Sequence, residues 1–162
     1  MKLNEIYQAI EDLKNSLPKV FHGTEISYPF KNRLTPIGDW SDLENIGMIV
    51  TGDDIGKKSG VYFFAKPNEE VFYIGKAACL HERVWKHVNT PTTNEDGKKL
   101  FPNHNFRCDE STEEMKLVAK GQALLGVATV SNPNLVSLIE VYLQTIHINK
   151  HGKLPIINKQ IG

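Results

Sequence analysis

Two tyrosines and a basic pair have side chains that could hold a phosphate or move a proton. Tyr62 and Tyr73 each lie in a short segment rich in aromatic and β-branched residues. Arg83 and His87 are four residues apart, the spacing at which two side chains share one face of a helix. A guanidinium binds oxyanions through its planar fork, and an imidazole can relay protons. Taken singly, the tyrosines are better explained as strand aromatics that pack across a hairpin, and Arg83 as a surface helix cation, the usual location of arginine.

Four further residues raise the question of a zinc site, because thiolate and imidazole are ligands that zinc prefers. They are Cys79, His81, His104 and Cys108. Their spacing is loose, no Cys-x-x-Cys pair occurs, and the first two begin the helix that carries Arg83. The sequence therefore disfavours zinc, and the two cysteines are predicted to be reduced thiols.

The tyrosines belong to a predicted β-hairpin, with strands at residues 60–65 and 70–75 and a loop at 66–69. If those four residues form the loop, Ala65 faces Glu70, and Tyr62 lies directly across from Tyr73 on the same face. A register slip of one residue would put the two rings on opposite faces. The register of the hairpin therefore tests this interpretation.

Helices and one more strand complete the predicted architecture. Helices are predicted at residues 3–16, 78–88, 112–121 and 132–149, and the third strand is predicted at 122–130. Asn132-Pro133 has the composition of a helix start, and Gly152 marks the stop. Residues 89–111 are polar and are predicted to form a long surface loop. We expect an α+β fold in which a small three-stranded antiparallel sheet carries helices packed against it.

Residues 1–59 are predicted to form an N-terminal extension to a domain spanning residues 60–162. The extension begins with the helix at 3–16, whereas residues 19–59 are rich in glycine and proline. A short strand could form at residues 47–50. No candidate chemistry lies in the extension, and the sequence does not indicate its role.

Composition indicates a soluble globular protein. The chain has 162 residues, of which 40% are hydrophobic and 23% charged, which suits one domain with an elaboration. No apolar run approaches the roughly 18 residues that a membrane helix needs, and the first residues lack a signal peptide's apolar core. We therefore expect a cytoplasmic location and no membrane partner. The formal net charge of +0 weighs against non-specific coating of nucleic acid, but decides little about a local site.

The order of these motifs resembles the GIY-YIG nuclease superfamily over residues 60–158. Gly60-Val61-Tyr62 stands at the Gly-Ile-Tyr position, and Tyr73-Ile74-Gly75 stands at the Tyr-Ile-Gly position. The remaining matches are Lys76 after the second motif, Arg83 and His87 in the predicted helix at 78–88, Glu140 in the predicted helix at 132–149, and Asn158 near the C-terminus. Each match is weak alone, but their order on the expected elements is a strong signal. The 59 residues before Gly60 depart from the family, whose module usually begins near its hairpin.

The resemblance implies metal-dependent hydrolysis of a phosphodiester bond. Glu140 would supply the carboxylate ligand for Mg²⁺ or Mn²⁺, and Arg83 with Lys76 would hold the phosphate. Tyr62 would orient or deprotonate the attacking water. A phenol with an ordinary pKa of about 10 is a poor base at neutral pH, so nearby cations would have to lower that pKa.

The resemblance gives the remaining residues supporting roles. Tyr73 would support Tyr62 or the phosphate by hydrogen bond, and His87 would relay a proton or contact the phosphate. Asn158 would fix the site from the C-terminal segment, with a turn-forming or purely structural hydrogen-bonding role as the alternative. Glu140 lies at the edge of its helix's apolar face, which suits a solvated charge as well as a ligand.

The leading hypothesis is an endonuclease on nucleic acid, with DNA favoured over RNA, of restriction, mobile-element or repair type. It requires the two phenols, Arg83 and Glu140 to converge on one pocket on the same side of the sheet. One alternative is a non-catalytic nucleic-acid-binding module that keeps the fold, and the other is a structural or interaction domain, supported by the neutral charge alone. The sequence leaves the oligomeric state open, with a dimer as one option.

Overall fold

The computed structural model describes residues 1–32, 35, 55–88, 92–93, 99–100, 112–119 and 122–162. Its helices are α1 (Leu3–Ser16), α2 (Leu80–Val88), α3 (Glu113–Ala119) and α4 (Val136–His151). Its strands are β1 (Ile26–Ser27), β2 (Gly60–Ala65), β3 (Val71–Ala77), β4 (Thr92–Thr93), β5 (Lys99–Leu100) and β6 (Leu124–Val130). This mixture of helices and antiparallel strands confirms the predicted α+β class.

The main sheet is antiparallel, with the strand order β1-β6-β2-β3. Its three long strands confirm the predicted three-stranded sheet. The sequence did not predict the fourth strand, β1, whose Ile26 pairs with Val130 of β6. Two residues are too few to show the alternation by which a strand is recognised. Because β3 is an edge strand, its outer backbone groups must find partners outside the sheet.

Helices cover both faces of this sheet. On one side, which we call the α2 face, α2 and α3 pack against Tyr62, Phe64 and Val127. On the other side, the α4 face, α1 and α4 pack against Val61, Phe63 and Ile74. All residues of β2 are buried because successive side chains point to opposite faces and both faces are covered.

The N-terminal helix shares the core of the α4 face. The predicted helix at 3–16 is confirmed, and the Lys2 backbone N–H donates to Glu5 Oε2 at 2.8 Å in its first turn. Its buried side chains include Ile6, Ile10 and Leu13. Helix α1 and strand β1 therefore share a core and a sheet with the rest of the chain, while the division at residue 59 stays a prediction. The strand considered at residues 47–50 lies outside the described residues.

The hairpin register differs from the predicted one by two residues. Tyr62 pairs with Gly75, and Tyr73 pairs with Phe64, so the predicted pairing of the two tyrosines directly across from each other is wrong. Because the shift is even, both rings still lie on the same face, as diagonal neighbours. Their ring centroids are 5.8 Å apart. The prediction of a shared face is confirmed.

Two irregularities of one residue each produce that shift. The Lys66 N–H donates to Glu70 O at 2.9 Å, so the loop is residues 67–69 rather than 66–69. Glu69 has φ of 69°, the left-handed conformation that closes a three-residue hairpin loop. The second shift is a bulge between Phe64 and Ala65.

The helix boundaries at Asn132 and Gly152 agree with those predicted from the sequence. Asn132 Oδ1 accepts a hydrogen bond of 3.1 Å from the Asn134 N–H, and a 3₁₀ turn at Pro133–Leu135 leads into α4. Helix α4 ends at Gly152, which has φ of 72°. The prediction of a loop at residues 89–111 was incomplete, because the two short strands β4 and β5 pair within that range. No helix in the described ranges is long and apolar enough to cross a bilayer.

Candidate active site

Gly75 allows the two tyrosines to meet. A Cβ built on Gly75 would lie 2.7 Å from Tyr62 Cζ and 2.7 Å from Tyr73 Cε1. Such distances are far inside van der Waals contact, so any side chain at this position would push the rings apart. The glycine that pairs with Tyr62 across the hairpin therefore provides the space in which the phenol pair forms.

The Tyr62 and Tyr73 hydroxyls and the Arg83 guanidinium form one polar group on the α2 face. The two Oη atoms are 3.5 Å apart, and Arg83 interacts with both hydroxyls. Arg83 reaches them from α2, where Leu80 and Val84 are buried against the sheet and hold the helix in place. The predicted association of these three side chains is therefore present in the fold.

Tyr62 is held as a neutral phenol. It has no exposed surface, and burial raises its pKa well above the usual value of 10.0. The neighbouring Tyr73 hydroxyl raises the pKa further, whereas Arg83 lowers it without cancelling the effect of burial. Catalysis by a Tyr62 phenolate would require a pKa below the usual value. The protein's own cations do not bring the pKa that low, because the effect of burial is larger.

A cavity of about 810 Å³ lies at the free edge of β3. It brings together five of the side chains that the sequence singled out, namely Tyr73, Lys76, Arg83, Glu140 and Asn158. Tyr62 is not among its lining residues, which is consistent with its complete burial. His87 belongs to α2, but its side chain lies outside the described residues.

Glu140 approaches this cavity from the α4 face, whereas Tyr73 and Arg83 approach it from the α2 face. The expectation that the carboxylate and the phenols lie on the same side of the sheet is therefore wrong. That expectation neglected the strand order, which makes β3 an edge strand. At an edge, a cavity can pass around the strand, so side chains from opposite faces still line one space. Tyr73, Arg83 and Glu140 therefore converge on one cavity without sharing a side of the sheet.

Glu140 and Lys76 form an ion pair within the cavity. Lys76 Nζ lies 2.8 Å from Glu140 Oε2. The approach lacks hydrogen-bond geometry, and this buried oxygen has no hydrogen-bond donor among the described residues. The Glu140 side chain is only 7% exposed, compared with 38% for Lys76.

The donor set of the cavity fits a hard divalent cation. A buried carboxylate oxygen without a hydrogen-bond donor retains lone pairs for a ligand. Mg²⁺ needs one or two carboxylates and takes its remaining ligands from waters and substrate phosphate. Glu140, which lines the cavity, meets this requirement with its single carboxylate.

Asn158 binds the open edge of β3. Its Oδ1 accepts from the Ile74 N–H at 2.9 Å, and its Nδ2 donates to the Ile74 carbonyl at 2.7 Å. The Ile157 N–H adds a bond to Phe72 O at 3.2 Å. The C-terminal segment thus supplies the hydrogen bonds that a further strand would make, and it holds the strand that carries Tyr73 and Lys76.

Sequence reasoning missed Gln144, which lines the same cavity. Its Nε2 donates to the Ile74 carbonyl at 3.4 Å, and its Oε1 accepts from the Gly162 N–H at 2.9 Å. Gln144 is 1% exposed and lies one helical turn after Glu140. A buried amide four residues from a candidate ligand on the same helix face was the available signal.

The described residues give the zinc hypothesis no support. Cys79 is a free thiol, and no group of three or more potential metal-binding side chains forms within the part of the chain that the structure describes. His104 and Cys108 lie outside the described residues.

Residues 58–106 match the family model of the UvrC-like GIY-YIG domain. This confirms the resemblance to the GIY-YIG nuclease superfamily. The match includes both motif strands and α2, but it ends before Glu140 and Asn158. Only the structure therefore connects those two residues to the matched segment. No curated protein and no solved structure matches the chain.

The buried phenol of Tyr62 should make the fold sensitive to alkali. The unfolded chain ionises Tyr62 near pH 10, whereas the folded chain keeps it neutral because its pKa is raised. This group's contribution to stability is therefore fully present below about pH 10 and declines as the pH rises further. Urea unfolding of the parent and Tyr62→Phe at a series of alkaline pH values would measure it. We expect a shallower decline in the variant, and identical declines would contradict the assignment.

Proposed function

We propose that this chain is a divalent-metal-dependent endonuclease that hydrolyses phosphodiester bonds in DNA. The observation that supports the proposal is the single cavity lined by a phenol, a guanidinium, an ammonium and a buried carboxylate. The GIY-YIG domain itself marks a nuclease-type family and a nucleic-acid substrate. The choice of DNA over RNA, the metal requirement and a cytoplasmic site of action belong to the proposal.

Arg83 is the proposed phosphate-binding group. It is exposed on the cavity side of α2, and the tyrosine hydroxyls orient it from behind. A planar guanidinium can donate two parallel hydrogen bonds to a phosphate, which fixes the phosphate in position as well as neutralising its charge. Lys76 would add a second positive charge in the same cavity.

Glu140 is the proposed ligand for Mg²⁺ or Mn²⁺. When bound, such an ion would neutralise charge on the phosphate and lower the pKa of a coordinated water. The protein's contribution is to hold this buried carboxylate on helix α4, beside the phosphate-binding residues. Rigid support matters because misplacing reacting groups by about 1 Å can slow a reaction a hundredfold.

Tyr73 is the phenol that would contact the attacking water, since it lines the cavity and Tyr62 does not. In hydrolysis, the water oxygen forms the new bond to phosphorus while the bond to the leaving sugar oxygen breaks. The attacking water gives up a proton, and the leaving oxygen takes one up. With its raised pKa, Tyr62 stays protonated and would orient Tyr73 and Arg83 through hydrogen bonds. His87, on the same helix as Arg83, remains the candidate for proton relay.

Tyr62→Phe should abolish cleavage while leaving the protein folded. The substitution removes one hydroxyl from the group formed with Tyr73 and Arg83, but retains the ring that fills the core. We expect a loss of about a hundredfold or more, comparable to removing one preorganised hydrogen-bond donor from an active site. Single-turnover cleavage and circular dichroism would measure the two properties. Normal cutting by this variant would remove the role assigned to Tyr62.

A non-catalytic DNA-binding module is the second candidate function. The ion pair between Lys76 and Glu140 favours it, because a carboxylate neutralised by lysine is a poorer metal ligand. Salt-dependent binding of DNA without any cutting, in either Mg²⁺ or Mn²⁺, would support this alternative.

Incubation with supercoiled plasmid tests the proposal. The parent protein should nick or linearise DNA in Mg²⁺ or Mn²⁺ but not in EDTA, and Glu140→Ala should be inactive. Glu82→Ala is the matched control, since it removes an exposed carboxylate that lines the same cavity. Absence of cleavage by the parent, or equal cleavage by Glu140→Ala, would refute the proposal. A parallel incubation with RNA tests the choice of nucleic acid.

A further inference from the structure

The ion pair between Lys76 and Glu140 occupies the place where a metal ion would bind. Burying a carboxylate is unfavourable unless a positive charge compensates it. Among the described residues, the ammonium of Lys76, 2.8 Å from Oε2, is the group that compensates Glu140. Within the described part of the chain, the same oxygen has no hydrogen-bond donor, so its stabilisation depends on charge rather than on a hydrogen-bond network.

A divalent ion and this ammonium cannot share the carboxylate in the observed arrangement. Mg²⁺ lies about 2.0–2.1 Å from a ligand oxygen. An ammonium 2.8 Å from the same oxygen would be displaced by steric overlap with the ion and by repulsion between the doubly charged ion and the ammonium. Ligation through the other oxygen would leave the ammonium on the same carboxylate, so the repulsion would persist.

We propose that Lys76 competes internally with the metal ion, and that it leaves Glu140 when a phosphate enters the cavity. This inference rests on the proposed function, and it assigns Lys76 a role in controlling when the metal ion binds. Lys76 is suited to move because its side chain is 38% exposed and has a flexible four-carbon stem, whereas Glu140 is fixed on α4. A phosphate held near Arg83 would offer the ammonium another anion within the same cavity.

The competition makes the binding of the metal ion and of nucleic acid mutually favourable. Without nucleic acid, the ion must displace Lys76 unaided, so its affinity is low. With a phosphate present, Lys76 is already drawn away from Glu140, and the carboxylate is available. By linkage, the ion raises the affinity for nucleic acid by the same factor.

Mn²⁺ binding without nucleic acid tests the inference on the full chain. Electron paramagnetic resonance of free Mn²⁺ would give dissociation constants for the parent, Lys76→Met, Lys159→Met and Glu140→Gln. We expect Lys76→Met to bind Mn²⁺ at least about fivefold more tightly than the parent, at the low end of typical coupling between sites. Lys159→Met removes a charge from the same cavity without touching the ion pair, so it should bind like the parent.

Equal or weaker Mn²⁺ binding by Lys76→Met would overturn the inference. If Glu140→Gln then still loses Mn²⁺ binding, the proposed metal site stands and only the competition is wrong. If Glu140→Gln binds Mn²⁺ like the parent, the metal role of Glu140 fails and the proposed function falls with it.

Lys76→Met leaves a buried carboxylate uncompensated and could unfold. In that case, the melting temperature with and without Mn²⁺ decides. Restoration of the fold by Mn²⁺ in Lys76→Met but not in a Lys76→Met, Glu140→Gln double variant would support the inference. A failure of Mn²⁺ to restore the single variant would overturn it.

Discussion

Arg83→Ala is expected to lower the rate of DNA cleavage by about 10²–10³-fold while the protein stays folded. Arg83 is the exposed cation that lines the cavity and interacts with both tyrosine hydroxyls. Its loss would remove the bidentate donor to the phosphate and leave Tyr62 as the remaining partner that orients Tyr73. Because the guanidinium is exposed, the stability change should stay within about 1 kcal/mol. Single-turnover cleavage measures the rate, and thermal unfolding measures the stability.

Two variants distinguish bidentate phosphate binding by Arg83 from a general effect of positive charge in the cavity. Arg83→Lys keeps the charge but loses the planar fork, so we expect it to recover only a small part of the rate. Lys159→Ala removes another cation that lines the same cavity, and its effect should be several-fold at most. Cleavage by Arg83→Ala within a few-fold of the parent would contradict the role assigned to the guanidinium.

Gly75→Ala should abolish cleavage and destabilise the fold by about 1–3 kcal/mol, the usual range for overpacking a core. The new Cβ would lie 2.7 Å from ring atoms of Tyr62 and Tyr73, which are wide, rigid groups in a packed core. Relieving that overlap must separate the phenols and disturb the hold of their hydroxyls on Arg83. Urea unfolding gives the stability, and cleavage per folded molecule gives the catalytic effect.

Gly126→Ala provides a matched control on the same sheet. Its Cβ would meet Leu3 Cδ2 at 2.7 Å and Tyr7 Oη at 2.9 Å, on the α4 face rather than beside the phenol pair. This variant should lose stability while keeping its cleavage rate per folded molecule. Equal catalytic losses in both glycine variants would indicate general loosening of the sheet, and would contradict a specific role for the space at Gly75.

The regular elements could be predicted from the sequence because their signals are local. The helix at Leu3–Ser16 was predicted with both ends as observed, since apolar side chains recur at helical spacing over its length. The start of the last helical segment at Asn132-Pro133 and its stop at Gly152 were also recognised, because capping depends on one or two residues. Two-residue strands such as β1 leave no periodic signal.

The register of the hairpin could not be predicted from local sequence patterns. A left-handed Glu69 in the loop and a bulge after Phe64 each shift the pairing by one residue. Neither position is glycine, so no residue type there indicated the left-handed turn or the bulge. The shared face of the two tyrosines was still predicted correctly, because two shifts of one residue preserve the alternation of side chains.

The site was predicted as a set of residues rather than as a geometry. Five of the named side chains line one cavity, but the approach of Glu140 from the opposite face depends on β3 being an edge strand. Strand order is a long-range property that no short motif encodes. The ion pair of Lys76 with Glu140 and the hold of Asn158 on Ile74 likewise join residues more than sixty positions apart.

Anomalous diffraction from a crystal of the chain with a short DNA duplex and Mn²⁺ would test directly whether Glu140 and Arg83 form a metal and phosphate site. We expect a manganese peak at ligand distance from the Glu140 carboxylate, with a phosphate between that ion and Arg83. A bound duplex with its manganese peak away from Glu140, or with no phosphate beside Arg83, would rule out this site.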